Sequence, residues 1–176
     1  MSELSSLLTG SQVRLWPYSP ASYPPDTLVE LWRLLQAERA QTKVFWSRAH
    51  QVYSDPAPLA WFMGFMQSVI LMLPQDLESG ALMGFCWFDD IVHQHRAAQN
   101  IFYARRFWGS RAQEASTLCA RYGHEVMGWP TLWGLTPWPL AVRHAEVVGF
   151  RYVATLEDYA FIEGKSHDVH VVRKGQ

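Results

Sequence analysis

Cysteine is scarce in this chain. Only Cys86 and Cys119 occur in 176 residues, too few for a disulfide scaffold, and both fall inside apolar segments, where they read as small buried side chains in a reducing compartment. A cytoplasmic protein is the expectation. An excess of charge of one sign is missing as well: 15 Lys and Arg against 16 Asp and Glu give a formal net charge of -1, so no basic field is available for long nucleic acid. No apolar run reaches the roughly 20 residues that a membrane-spanning helix needs. The longest, Leu59 to Leu73, is broken by Gly64, Gln67 and Ser68 and closed by Pro74, and it reads as a buried helical turn followed by a strand over Val69 to Leu73. The opening residues MSELSSLLTGSQ have no basic n-region and no long apolar core, so a secretory leader is not expected. Metal ligands in register are also lacking. His93-Gln94-His95 has no carboxylate or thiolate spaced with it and reads as a solvated turn. Repeats and low-complexity tracts are absent.

What is present suits one globular domain over residues 1–176: 49% hydrophobic and 18% charged residues supply ample core. Nine tryptophans exceed the needs of a core this size. Some of Trp16, Trp46, Trp61, Trp108, Trp129, Trp133 and Trp138 are therefore expected at the surface, as the lining of a cleft or as a face for a protein partner. Gln12 to Trp16 alternates like a strand and stops at Pro17. Thr27-x-x-Glu30 has the capping-box pattern, and Leu28, Leu31, Trp32 and Leu35 mark one helical face. Residues 41–58 lack periodicity and read as an irregular or partly helical connection whose Trp46, His50 and Tyr53 either anchor a loop or line a cleft. Leu82 to Asp90 predicts another strand.

The chain is organised around Gln99 to Gly123. Gln99 to Ala104 predicts a strand inside a sheet, Arg105 to Gly109 a loop, and Ser110 the N-cap of a helix, with Gln113 completing a capping box. Ala115, Leu118, Cys119 and Tyr122 form its apolar face. A helix N-terminus behind a glycine loop that carries Arg105, Arg106 and Arg111 is a sensible place for phosphate. Thr131 to Leu135 then predicts a strand and Thr136-Pro137 a helix start. Ala141, His144, Ala145 and Val148 share that helix's inner face, and Gly149 ends it. Strands over Arg151 to Ile162 and His167 to Arg173 turn at Glu163-Gly164-Lys165. The order β-α-(α)-β-β-β-α-β-α-β-β predicts an α/β fold with a mixed, mostly antiparallel sheet flanked by helices. Asp89, Asp90, His93, Tyr103 and Glu114 are the titratable groups nominated near a site, each with a structural role as the plainer reading.

Arg106-Phe-Trp-Gly109-Ser-Arg111 resembles the R/Q-x-x-G-x-G/A pyrophosphate loop of the GNAT superfamily of acyl-CoA N-acyltransferases, with Arg111 where a Gly or Ala is usual. Gly149 to Lys174 resembles the C-terminal strand pair of the branch that acetylates ribosomal-protein N-termini, with Gly149, Phe150, Leu156, Gly164 and Asp168 keeping its cadence. Trp108-Gly109 with Gln113-Glu114-Ala115 is similar to that branch's W-G-x-G-x-A-T-E-A, one residue short. The likeness runs in order over residues 82–174.

The resemblance implies the GNAT fold and transfer of an acyl group from acetyl-CoA, as co-substrate, to an amine, either a protein N-terminus or a small molecule. It implies phosphate binding by the amides of Arg106, Phe107, Trp108, Gly109, Ser110, Arg111 and Ala112, with Arg105 in the same loop. It also implies a splayed pair of strands with the thioester beside the backbone of Phe102, Tyr103 and Ala104. The Tyr that often protonates the thiolate falls at Ala145, and the Asn common at the start of that helix falls near Trp138. No acid is then expected on that helix, since Ala145 has no proton to give and His144 beside it is on the face that packs against the sheet; the thiolate is protonated by water or by a group from another element, with Tyr103 the one tyrosine placed near the expected thioester. A GNAT-fold module without catalysis, serving binding or structure, is the alternative.

Overall fold

The computed structural model describes residues 6–24, 26–46 and 59–175. Seven strands form one sheet: β1 (Val13–Pro17), β2 (Ile70–Asp76), β3 (Gly84–Val92), β4 (Arg96–Tyr103), β5 (Thr131–Thr136), β6 (Arg151–Ile162) and β7 (Lys165–Gly175). Their order is β1-β2-β3-β4-β5-β7-β6. Every neighbouring pair is antiparallel except β4 with β5, which is parallel. β4 therefore lies at the centre of a mixed sheet, where its sequence places it.

Helices cover both faces because their apolar residues recur on one side. α1 (Asp26–Ala37) buries Leu28, Leu31 and Leu35, and α3 (Leu59–Gln67) buries Phe62 and Met66. Together they pack on Phe85, Trp87 and Phe102 of the sheet, while a single turn, α2 (Gln41–Val44), lies between them in the chain. The opposite face carries α4 (Ser110–Arg121), whose Ala112, Ala115, Leu118 and Cys119 pack with Cys86, Phe88 and Tyr103. α5 (Pro139–Val147) follows β5, and its Val142 and Ala145 pack against this second core. Successive strand residues point to opposite faces. Hence Phe102 belongs to the α1 side and Tyr103 to the α4 side.

Most strand ends lie within three residues of the sequence expectation, and three boundaries differ for a visible physical reason. β2 continues through Pro74 to Asp76 instead of ending at Leu73. Proline offers no N–H to a ladder, but the carbonyl nearest it, Met83 O, already accepts from Ala104 N–H at 2.9 Å, while Met83 N–H donates to Pro74 O at 2.9 Å. Gly84 permits that closeness, since a Cβ there would stand 2.0 Å from Phe102 O. Ser110 is the first residue of α4, not its N-cap: Gly109 holds the cap and no side chain closes it, because Ser110 Oγ donates instead to Gln12 Oε1 at 3.2 Å. The helix start predicted at Thr136-Pro137 comes at Trp138-Pro139, with Thr136 Oγ1 accepting from Trp138 N–H.

Candidate active site

β4 and β5 pair over only three residues each, Arg96, Ala97 and Ala98 with Thr131, Leu132 and Trp133. Beyond that point β4 stays with β3 as far as Tyr103 opposite Gly84, and β5 stays with β7, Gly134 to Thr136 opposite Val172 to His170. The two strands part, leaving an opening in the sheet. Ala104 N–H bonds toward β3, so by ladder alternation the backbone groups of Ile101 and Tyr103 face into that opening. Trp108 Nε1 donates to Tyr103 O at 3.0 Å across its upper end. Among the nine tryptophans only Trp108 is exposed, at 60%.

The chain leaves β4 through a single turn, Arg105–Phe107, and reaches α4 at Gly109. Gly109 has φ 91 with nothing within 4 Å of an added Cβ. Backbone conformation, not lack of room, therefore calls for glycine here. The first helical bond runs from Gln113 N–H to Gly109 O, so the amides of Ser110, Arg111 and Ala112 have no acceptor within the helix. Together with the helix dipole they form an anion cradle. Arg106 is exposed beside it, its guanidinium 4.7 Å from the Phe107 ring centroid. Arg111 turns away. Its Nε donates to Asp76 Oδ1 at 2.8 Å and its Nη2 meets Glu78, so the long side chain leaves the cradle open. Asp76 is held below the ordinary carboxylate range, first by the Ser79 hydroxyl and then by the Ser79 amide and Arg111, against the opposing effect of burial. Arg105 also faces away, with its amide and guanidinium on Glu38.

Below the cradle a polar chain crosses the apolar α4 face. Tyr103 Oη lies 3.1 Å from Cys86 Sγ and 2.8 Å from Ser116 Oγ, and Ser116 Oγ lies 2.8 Å from His144 Nε2. Gln99 Nε2 donates to Ser116 O at 3.2 Å. Burial is the main cause that pushes the Tyr103 phenol well above its ordinary pKa, which keeps it protonated. Burial pushes His144 down, which favours the neutral ring.

The fold has structural counterparts. A spermidine N-acetyltransferase from Vibrio cholerae, in complex with CoA and spermine, superposes with a TM-score of 0.75 at 17% identity over 95% of this chain and 97% of that one. A probable GNAT-family acetyltransferase from Chromobacterium violaceum gives 0.73 at 17% identity over 96% and 85%. The fold is that of the GNAT acetyltransferases. A ribosomal-protein-S5-alanine acetyltransferase from Vibrio fischeri shares it, with a TM-score of 0.64 at 9% identity over 95% of this chain and 94% of that one. No family model matches the sequence, and no curated protein matches it.

Within the GNAT fold the expected site residues divide into groups. Phe102, Tyr103 and Ala104 border the opening, and Arg106 to Ala112 wrap the cradle, with Phe107 and Ala112 buried beneath it. Arg105 is spent on Glu38. The nominated carboxylates lie elsewhere. Asp89 pairs with Ala98 and accepts from Asn100 and Trp87, which places it some five residues, roughly 17 Å, from the Tyr103 end of β4. Asp90 faces Arg96 and His93 is exposed in the next turn. Glu114 serves the fold, accepting from Ser11 N–H, Ser11 Oγ and Gln12 N–H at 2.7 to 2.8 Å. Burial raises its pKa, but these bonds together outweigh it and leave the group below its ordinary value. Trp46 packs with Trp138 on Ala160, Ile162 and Val169, while His50 and Tyr53 lie outside the described residues. Of the nine tryptophans only Trp87 and Trp129 are buried, six are half-buried and Trp108 is exposed. Sequence reading missed Ser116, whose one available signal was a buried polar position on an otherwise apolar helix face.

Proposed function

We propose that this chain is an acyl-CoA-dependent N-acetyltransferase acting on a primary amine, either a protein N-terminus or a small molecule, in the cytoplasm. The observation that carries the reading is the parting of β4 and β5 directly beneath a helix N-terminus with free amides. The amides of Gly109 to Ala112 hold the pyrophosphate and Arg106 supplies a charge beside it. The backbone of Ile101 and Tyr103 offers hydrogen bonds to the pantetheine arm once the Trp108 indole gives up the Tyr103 carbonyl, and the thioester lies near Phe102 to Ala104. Direct attack then needs orientation and proton transfer and no covalent enzyme intermediate. The spermine bound to the Vibrio cholerae structure and the alanine substrate in the Vibrio fischeri protein's name support both acceptor classes. A protein partner would use the exposed Tyr152, Tyr159 and Phe161 on β6.

Calorimetry with coenzyme A tests the reading. Binding should weaken with salt, and Gly109→Asp should abolish it, since each charge-assisted hydrogen bond lost costs on the order of 1.5 to 3 kcal/mol, about tenfold or more per contact. No heat at millimolar coenzyme A would count against the site. One observation favours the non-catalytic alternative: Ala145, at the position of the family's usual Tyr, packs against the core and has no proton to give.

A further inference from the structure

We propose that His144 carries the proton in the transfer step, taking it from the attacking amine on Nδ1 and delivering it to the departing thiolate, while Ser116 and Tyr103 position the ring. This rests on the acyltransferase reading and names its missing proton carrier.

The argument begins with where the two helices come from. α4 follows β4 and α5 follows β5, so a bond between Ser116 of α4 and His144 of α5 spans the two arms of the opening in the sheet. The His144 ring centroid lies 6.2 Å from that of Tyr103, at the end of β4 where the strands have already parted. One ring nitrogen is committed, Nε2 to Ser116 Oγ at 2.8 Å. The other, Nδ1, has no hydrogen-bond partner among the described residues, yet it is not among their buried unsatisfied atoms. It is therefore within reach of solvent on a half-buried ring.

The hydrogen-bond chain can set the tautomer this role requires. With Nε2–H donating to Ser116 Oγ, Ser116 donates to Tyr103 Oη and Tyr103 donates to Cys86 Sγ at 3.1 Å, so each donor is used and the lone pair falls on Nδ1. Gln99 Nε2, bonded to Ser116 O, fixes α4 against β4 at the same point. The groups placed against the ring are Tyr103 from β4 and Ser116 from α4, with Cys86 from β3 behind Tyr103. Lys174 of β7 is tied to Val148 O at the end of α5. Burial keeps Tyr103 and Cys119 protonated and neutral, so neither becomes an anion that would hold the proton on the imidazolium. A neutral ring that protonates reluctantly is suited to taking a proton and promptly giving it up.

The step balances without another reactant. The amine nitrogen bonds to the acyl carbon, the carbon–sulfur bond breaks with its electron pair passing to sulfur, and the proton shed by nitrogen moves through Nδ1 to sulfur. The ring ends neutral, and nothing is oxidised or reduced.

NMR titration of the full chain, labelled in its histidines and assigned with His144→Gln, tests the geometry without needing an acceptor. On saturation with coenzyme A the His144 midpoint should move by about half a pH unit or more. With acetyl-CoA and either spermidine or an alanine-terminated peptide, His144→Gln should lower turnover about 100-fold or more, with coenzyme A affinity kept within about twofold. Tyr103→Phe and Ser116→Ala should lower it about 10-fold to 100-fold and displace the pH profile of turnover. A His144 midpoint unmoved by bound coenzyme A, or wild-type turnover in His144→Gln, would overturn the inference and leave the acyltransferase reading standing. Absence of coenzyme A binding overturns both.

Discussion

Asp76 shows how much a single side chain can carry beneath the cradle. It is 3% exposed, ties the Ser79 turn through that residue's amide and hydroxyl at 2.9 and 2.6 Å, and draws the Arg111 side chain away from the N-terminus of α4. Its folded pKa is depressed, so its contribution is fully present above the unfolded value near 3.8 and is lost as pH falls through the folded one. Asp76→Asn should therefore cost about 2 kcal/mol at neutral pH, with a smaller difference from wild type in strong acid, measured by urea unfolding across pH. The same substitution releases Arg111, and coenzyme A affinity should change with it. His144 adds to the acid lability. Its pKa is lowered by burial, so the unfolded chain takes up the proton first and stability declines as pH drops below the ordinary imidazole value of 6.5.

At the scale of elements, Glu114 makes a tertiary cap for the segment before β1. Three hydrogen bonds join α4 to Ser11 and Gln12, and Glu114→Ala should cost about 2 to 3 kcal/mol in chemical denaturation while leaving the cradle amides in place. Trp108 offers a readout of the loop. As the one exposed tryptophan, with its indole on Tyr103 O, it should account for any fluorescence change on coenzyme A binding, and Trp108→Phe should remove that signal. Elements whose cause is local were legible in the sequence. The turn at Glu163-Gly164 closes β6 on β7 as expected, with φ of 51 and 79, and Gly149 ends α5 as Phe150 N–H reaches Ala145 O. The cadence around Leu156 and Asp168 proves to concern the hairpin, since Asp168 Oδ1 accepts from Asp158 N–H at an irregular stretch of β6. What depends on distant residues was not legible. Ser110 lost its cap role to a partner 98 residues away, Pro74 is accommodated by a bond between Met83 and Ala104, and Ser116 meets His144 across 28 residues.

For the whole molecule, the decisive feature is the short parallel junction. All strands before it, β1 to β4, and all strands after it, β5 to β7, are antiparallel within their own group, and only three residue pairs join the two groups along the sheet. One further tie is Trp129, 2% exposed, which precedes β5 yet rests on Phe88 of β3 with ring centroids 5.1 Å apart. Such a junction would act as a narrow hinge between two stiffer plates. A slender molecule inserted between the plates would then act as a splint, so bound coenzyme A should slow hydrogen exchange at Ala98 to Ile101 and Trp133 to Thr136 together, well beyond the residues it touches. Exchange slowed only in the phosphate loop would show that the plates are already rigid without it.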